Sequence, residues 1–231
     1  MPKLPVVLAI DRAGIVGNDG ETHHGVFDLS FLSQFPNMSI LSPKNFEELR
    51  YMLKFAVEYN GGPVAIRYPR GQEKEIIVDR FEPIQYGKAE LLQHGGDITI
   101  AACGKMVHTA TKIAKELLKS GINAEVINTR FVKPLDENMI LASAKKTKNV
   151  VTIEDNILSG GFGSAVLQLI NNNEMKDVSV KMFGYPDKFI NQGSMDEIEK
   201  LYGLDYQSIT DNILKEFKPN EKVITIRKLQ S

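Results

Sequence analysis

The feature that most limits what this chain can fold into is the order of its apolar runs. Leu4–Ile10 (LPVVLAI) is short, continuous and apolar, the pattern of a strand buried on both faces. Met38–Leu41 and Pro63–Tyr68 read as two further strands. Between them, Phe46, Leu49, Met52, Leu53, Ala56 and Val57 recur on one face of a helix spanning 45–59. Ser42-Pro43 reads as its start, with Ser as cap and Pro in the first turn, and Asn60-Gly61-Gly62 as its stop. Phe27–Phe35 adds a short helical turn. Residues 4–68 therefore run strand, loop, strand, helix, strand, the order of a parallel α/β sheet.

The pattern then lapses. Residues 71–85 are charged and aperiodic and read as a linker between domains, where a protease is expected to cut. Tyr86–Leu92 and Asp97–Cys103 read as a hairpin turning at Gln93-His94-Gly95-Gly96. Strand and helix alternate regularly after it. Helices are expected at 107–118, 136–144, 163–170, 196–202 and 206–217, and strands at 124–128, 149–154 and 178–183. The expected organisation is a half-domain at 1–70, a linker at 71–85 and a second α/β domain with a mostly parallel sheet at 86–231.

Composition removes several classes of function. The chain has 231 residues, 42% hydrophobic and 25% charged, enough for a real core and ordinary for a globular protein. A net charge of −1 gives no footprint for nucleic acid. No apolar run is long enough to span a bilayer, and the short one near Met1 leads into charge, unlike a secretory leader. The single cysteine, Cys103, fits a reducing compartment and sits in an apolar strand as a structural thiol. A cytoplasmic location is the expectation.

Candidate chemistry concentrates where strands end. Asp11 to Gly25 (DRAGIVGNDGETHHG) follows the first strand directly and carries four Gly, three carboxylates, two His and an Arg. Arg67-Tyr68-Pro69-Arg70-Gly71 follows the third. Polar loops beyond strand carboxyl ends are where open α/β sheets place ligands. Arg12 and Arg70 are the candidate anion binders, because a guanidinium offers a planar fork of donors at any working pH. The alternative is that each pairs with a local carboxylate such as Asp11 or Asp19. His23 is the candidate acid/base group, with Asp19 placed to orient it or to bind a substrate hydroxyl. His24 points elsewhere if the segment is extended. His94 and His108 have no nearby ligand set, and no metal site is evident. Gly160-Gly161-Phe162-Gly163 opens a helix and suits either an anion or close packing.

Five stretches carry a family resemblance: AIDRAGIVGNDGETHHGVFDLSFL, GPVAIRYPRG, RFVKPLDENMI, EDNILSGGFGSAV and GYPDKFINQGSMDEI. In this order they resemble the carboxyl-terminal portion of the 1-deoxy-D-xylulose-5-phosphate synthase family, which is transketolase-like. The resemblance covers nearly the whole chain and is most specific in the first stretch. It implies part of a parallel-sheet pyrimidine-binding domain followed by a transketolase carboxyl-terminal domain. It implies an enzyme dependent on thiamin diphosphate and Mg2+, with pyruvate and D-glyceraldehyde 3-phosphate as substrates, carbon dioxide as a product, and a homodimer as the assembly. By the same resemblance, Arg12 and Arg70 grip the aldehyde's phosphate, and Asp19 and His23 sit beside the reacting carbons.

The departures from that family matter as much. Its members are more than twice this length. Their amino-terminal domain brings a Gly-Asp-Gly motif with a following Asn for the diphosphate and the metal, a motif not found here, and the glutamate that activates the cofactor is expected in the first half of their central domain, upstream of the part that this chain resembles. The resemblance thus implies that the chain alone is inactive. Two alternatives stand beside it: a free-standing half of a split transketolase-like enzyme, and a non-catalytic sugar-phosphate-binding or dimerisation module.

Overall fold

The computed structural model describes residues 3–72 and 83–217. The chain is α/β, with two sheets. The first sheet begins with β1 (Val7–Ile10), which pairs in parallel with β3 (Val64–Arg67); β3 in turn pairs in parallel with β2 (Ser39–Leu41). A short helix α1 (Asp28–Leu32) and a longer α2 (Phe46–Glu58) occupy the crossovers. The second sheet contains β4 (Glu90–Gln93), β5 (Ile98–Ala102), β6 (Ala124–Asn128), β8 (Asn149–Ile157) and β9 (Ser179–Tyr185), in the order β4-β6-β5-β8-β9. All its pairings are parallel except that of β4.

Helices cover both faces of the second sheet. Ile100, Ala102, Val126 and Ile153 pack with α3 (Met106–Lys119), α6 (Met195–Leu201) and α7 (Tyr206–Glu216). The alternate residues Ala101 and Ile127, with Val150, pack with α4 (Glu137–Thr147) and α5 (Phe162–Asn172). This alternation is the period-two signature of strands covered on both sides.

The structure corrects four expectations. Leu4–Ile10 is not a doubly buried strand: β1 is an edge, with Leu4 56% and Val6 42% exposed. An apolar run reports strand propensity, not how many neighbours the strand has. The α2 cap is Asn45, whose side chain accepts from the Glu48 N–H, rather than Ser42. The hairpin does not form. β4 runs antiparallel to β6, with Glu90 opposite Asn128, because the α3 crossover brings β6 beside β5 and leaves β4 the outer edge. Finally, a strand unmarked by periodicity, β7 (Phe131–Lys133), leaves the second half of the chain and pairs antiparallel with β2 in the first sheet. Most of the expected linker, 73–82, lies outside the described residues.

The two sheets also share a core. Ile40 and Ala65 of the first belong to the same apolar cluster as Ala101 and Ile127 of the second. A buried polar cluster fastens the seam. Lys44 Nζ donates to Glu90 at 2.7 Å, Arg130 Nε to Glu48 at 2.8 Å, and Asn128 Nδ2 to both carboxylates. Burial pushes the Glu48 carboxyl above its ordinary value, against the pull of the Lys44 N–H and Arg130.

Candidate functional site

The polar loop after β1 closes on itself. The Gly14 N–H donates to Gly25 O and the Gly25 N–H to Gly14 O, both at 2.8 Å, and the Ala13 N–H reaches across to Tyr68 O beyond β3 at 3.0 Å. Two glycines make this neck possible. A Cβ on Gly14 would overlap the Asp155 carboxylate, and one on Gly25 would overlap Arg12 O. Gly14 also has φ +75°, which L side chains rarely adopt. Arg12 itself sits at φ +59°. That conformation costs a non-glycine residue about 1 kcal/mol or more, and such strain gathers at functional loops.

Beneath the neck lies a charge cluster. Arg67, the last residue of β3, is 1% exposed. Its Nε donates to Asp28 at 2.7 Å, its Nη1 to Asp155 at 2.6 Å and its Nη2 to Gly25 O at 3.3 Å. The two carboxylates raise the guanidinium pKa against the opposing effect of burial, and Arg67 holds the Asp155 carboxyl below its usual range although burial pushes it up. The second half of β8 continues the support. The Ile157 N–H donates to Val26 O at 2.8 Å, and Asn156 accepts from the Leu29 N–H.

The expected site residues divide into two sets. Arg70 meets Asp19 in an ion pair, so the loops after β3 and β1 do converge. Arg12 pairs with its neighbour Asp11. Each guanidinium therefore has the local carboxylate weighed as the alternative. Both arginines keep much of their side chains exposed, and exposed pairs are worth about 0–1 kcal/mol, so these carboxylates hold them only weakly. His23 is exposed at the loop tip, its Nδ1 3.0 Å from Thr22 Oγ1. His24 does point elsewhere, into the interior: it is buried, and its Nδ1 accepts from the Val16 N–H at 3.0 Å. Sequence reasoning missed the partners of Arg67. An Arg closing a fully buried strand was the available signal, because such a charge requires carboxylates.

Other candidates resolve structurally. The amino end of α5 is filled by Glu154, which accepts from the Phe162 and Gly163 N–H groups at 2.8 Å. Burial raises this carboxyl to about 8. Cys103 is buried and free. His94 is exposed, and His108 Nε2 lies 2.8 Å from Lys44 O. A cleft of about 870 Å3 lies between β4 and α4, lined by Lys88, Leu91, His94, Glu125, Met139 and Lys146 among others; Arg12, Asp19, His23 and Arg70 do not line it.

With this geometry in view, similarity to known proteins identifies the lineage. Residues 87–209 match the model described as "Transketolase, C-terminal domain", and residues 1–74 the model described as "Transketolase, pyrimidine binding domain". The chain belongs to the transketolase family. Within it, this transketolase-family chain is 49% identical over 213 residues to the 1-deoxy-D-xylulose-5-phosphate synthase of Halothermothrix orenii, a match covering 92% of the chain and 33% of that synthase. It is 50% identical over 216 residues to the synthase of Caldanaerobacter subterraneus subsp. tengcongensis, covering 94% and 34%. The chain thus spans about a third of the length of these curated relatives. Among solved structures it resembles a split gene transketolase described as an inactive beta4 tetramer, with TM-score 0.80, 32% identity, and coverage of 94% of this chain and 68% of that one. The Campylobacter jejuni transketolase shares the fold, with TM-score 0.70 at 21% identity over 91% of this chain and 31% of that one.

Transketolase relatives of this kind imply dependence on thiamin diphosphate. Among the described residues no group of three or more His, Cys, Asp or Glu side chains is placed to hold a metal ion.

Proposed function

We propose that this chain forms the substrate-side part of a 1-deoxy-D-xylulose-5-phosphate synthase, which joins pyruvate to D-glyceraldehyde 3-phosphate with loss of carbon dioxide. The observation that carries the reading is the Arg70–Asp19 contact, which draws the loops after β3 and β1 together. In this reading Arg70 and Arg12 exchange their carboxylates for the substrate phosphate, as planar forks suited to two phosphate oxygens. Asp19, freed from Arg70 by that exchange, accepts a substrate hydroxyl. His23 at the loop tip holds or passes a proton beside the reacting carbons. The cofactor supplies the electron sink, and residues that anchor its diphosphate and metal come from outside the described residues. The 231 residues alone are accordingly inactive. The complete enzyme is a cytoplasmic homodimer.

Two measurements test this. The purified chain, given thiamin diphosphate, Mg2+, pyruvate and glyceraldehyde phosphate, releases no carbon dioxide; sustained release would overturn the inactivity. D-Glyceraldehyde 3-phosphate shifts the NMR signals of Arg12, Arg70 and His23, while unphosphorylated glyceraldehyde leaves the arginines unmoved. Equal shifts with both, or none, would remove the phosphate role.

A second reading is supported by the likeness to the split gene transketolase, of which the chain covers 68%. Here the chain works as a separate half with a cofactor-bearing partner. Activity on mixing with such a partner, without covalent joining, distinguishes it. A non-catalytic sugar-phosphate-binding module is the remaining alternative, favoured only if binding persists and neither test gives turnover.

A further inference from the structure

His24 lies beside the expected site residues, yet its imidazole is turned inward. Its Nδ1 accepts the Val16 N–H at 3.0 Å, tying together the two ends of the segment that holds Asp19 and His23. An acceptor Nδ1 fixes the tautomer: the ring is neutral, with its proton on Nε2. Nε2 is buried and makes no hydrogen bond among the described residues, although the Asn191 backbone lies close enough to favour its proton. Asn191 belongs to the stretch between β9 and α6. The same stretch backs the 3-10 turn Gly17–Asp19: Gly17 and Gly20 lie against Gly193 and Gln192, and the Gly193 N–H approaches Gly17 O. A capping box, Ser194 with Glu197, fixes where that stretch enters α6.

We infer that His24 is a positioning residue: its neutral imidazole staples residues 16–24 shut and seats them on the 190–194 stretch, so the second α/β unit sets where Asp19 and His23 stand. The staple does not depend on any bound ligand. Its importance for substrate rests on the reading above; its existence does not.

The electrostatic surroundings agree. Burial lowers the pKa of His24, His23 and Lys105 add to this, and Glu21 and the Asn191 backbone oppose it. Lys105, at the cap of α3, is itself paired to Glu199 of α6 at 3.3 Å. A folded-state value below the ordinary one means the staple is whole above about pH 6.5 and fails as pH falls through the lowered value. Protonating Nδ1 puts an N–H against the Val16 N–H, and the bond is lost.

The test is NMR of the whole 231-residue chain. Imidazole 15N shifts should place His24 in the Nε2–H form, titrating below the ordinary histidine value, and Val16 should exchange its amide slowly at neutral pH. In H24Q the side-chain carbonyl replaces Nδ1 as acceptor, so Val16 stays protected and the protection no longer varies between pH 5 and 7. In H24L the Val16 amide exchanges about five- to tenfold faster, the loss expected for one net hydrogen bond, while Ile100 in β5 is unchanged. An Nδ1–H tautomer, or Val16 exchange indifferent to H24L, would overturn the inference. If H24L fails to fold, the wild-type tautomer and the H24Q profile decide alone. Failure of Asp19 or His23 to sense substrate leaves these readouts untouched, so the two claims fail separately.

Discussion

The Arg67 guanidinium points its donors at Asp28, Asp155 and the Gly25 carbonyl, under the neck of the loop that carries Asp19 and His23. Removing one partner of a buried pair leaves an uncompensated charge. R67A is therefore expected to lower stability by about 3–5 kcal/mol and to speed amide exchange at Gly25, both read by denaturant unfolding with hydrogen exchange. The neighbouring carboxylates respond to pH in opposite directions. The depressed Asp155 contributes stability that is present above about pH 4 and lost as pH falls through its folded value. Glu154, raised to about 8, contributes stability that is whole below about pH 4 and lost as pH rises toward 8. E154Q is expected to flatten that alkaline decline in a pH series of melting temperatures; an unchanged slope would mean Glu154 ionises normally. At the loop surface, the proposed grip of Arg70 on the substrate phosphate predicts that R70A weakens binding of D-glyceraldehyde 3-phosphate about tenfold or more, with R70K recovering only part, since an ammonium lacks the fork. The sequence made Arg12, Asp19, His23 and Arg70 visible as a polar set at strand ends. It did not reveal what lies beneath them, because Arg67 finds its carboxylates 39 and 88 residues away, separations over which no local spacing speaks.

Elements with strong periodicity were legible. The α3 face and the β6 run match expectation closely because a two-sided sheet and a buried helix stripe impose their patterns on the chain. Elements whose identity depends on a distant partner were not. β7 is three residues long, and only the free edge of β2 makes it a strand. β4 likewise takes its direction from β6, not from the turn before β5. The anchor of β7 is Phe131, fully buried and edge-on to both Phe55 and Tyr86, with centroids 5.7 and 5.9 Å away. F131A should cost about 3–5 kcal/mol and expose the amides of β2, as hydrogen exchange would report; a loss below about 1 kcal/mol would mean β7 contributes little.

Across the whole molecule, the free edge and the seam dominate. Leu8 of β1, and Leu4 and Val6 just before it, face solvent beside an edge that is unpaired among the described residues, a combination that invites pairing with another strand. Sedimentation of the chain should show mass rising with concentration, and L8K should suppress the rise; a concentration-independent mass would count against the edge. The seam makes a different prediction for a cut between residues 72 and 83. The β2–β7 pairing, the shared core and the Lys44–Glu90 cluster hold the pieces, so a nicked chain should elute as one particle under native conditions and run as two bands when denatured. Two α/β units were legible in the sequence, but not their stitching, which lives in β7, a shared apolar cluster and a buried polar cluster. That stitching has a temporal consequence. Sixty-six residues separate Arg67 of β3 from Lys133 of β7. At about 5–20 residues per second, a ribosome needs roughly 3–13 s to deliver the strand that closes the β2 edge. Until then the first sheet waits half-built on the nascent chain, which makes those seconds the period when a chaperone has most to protect.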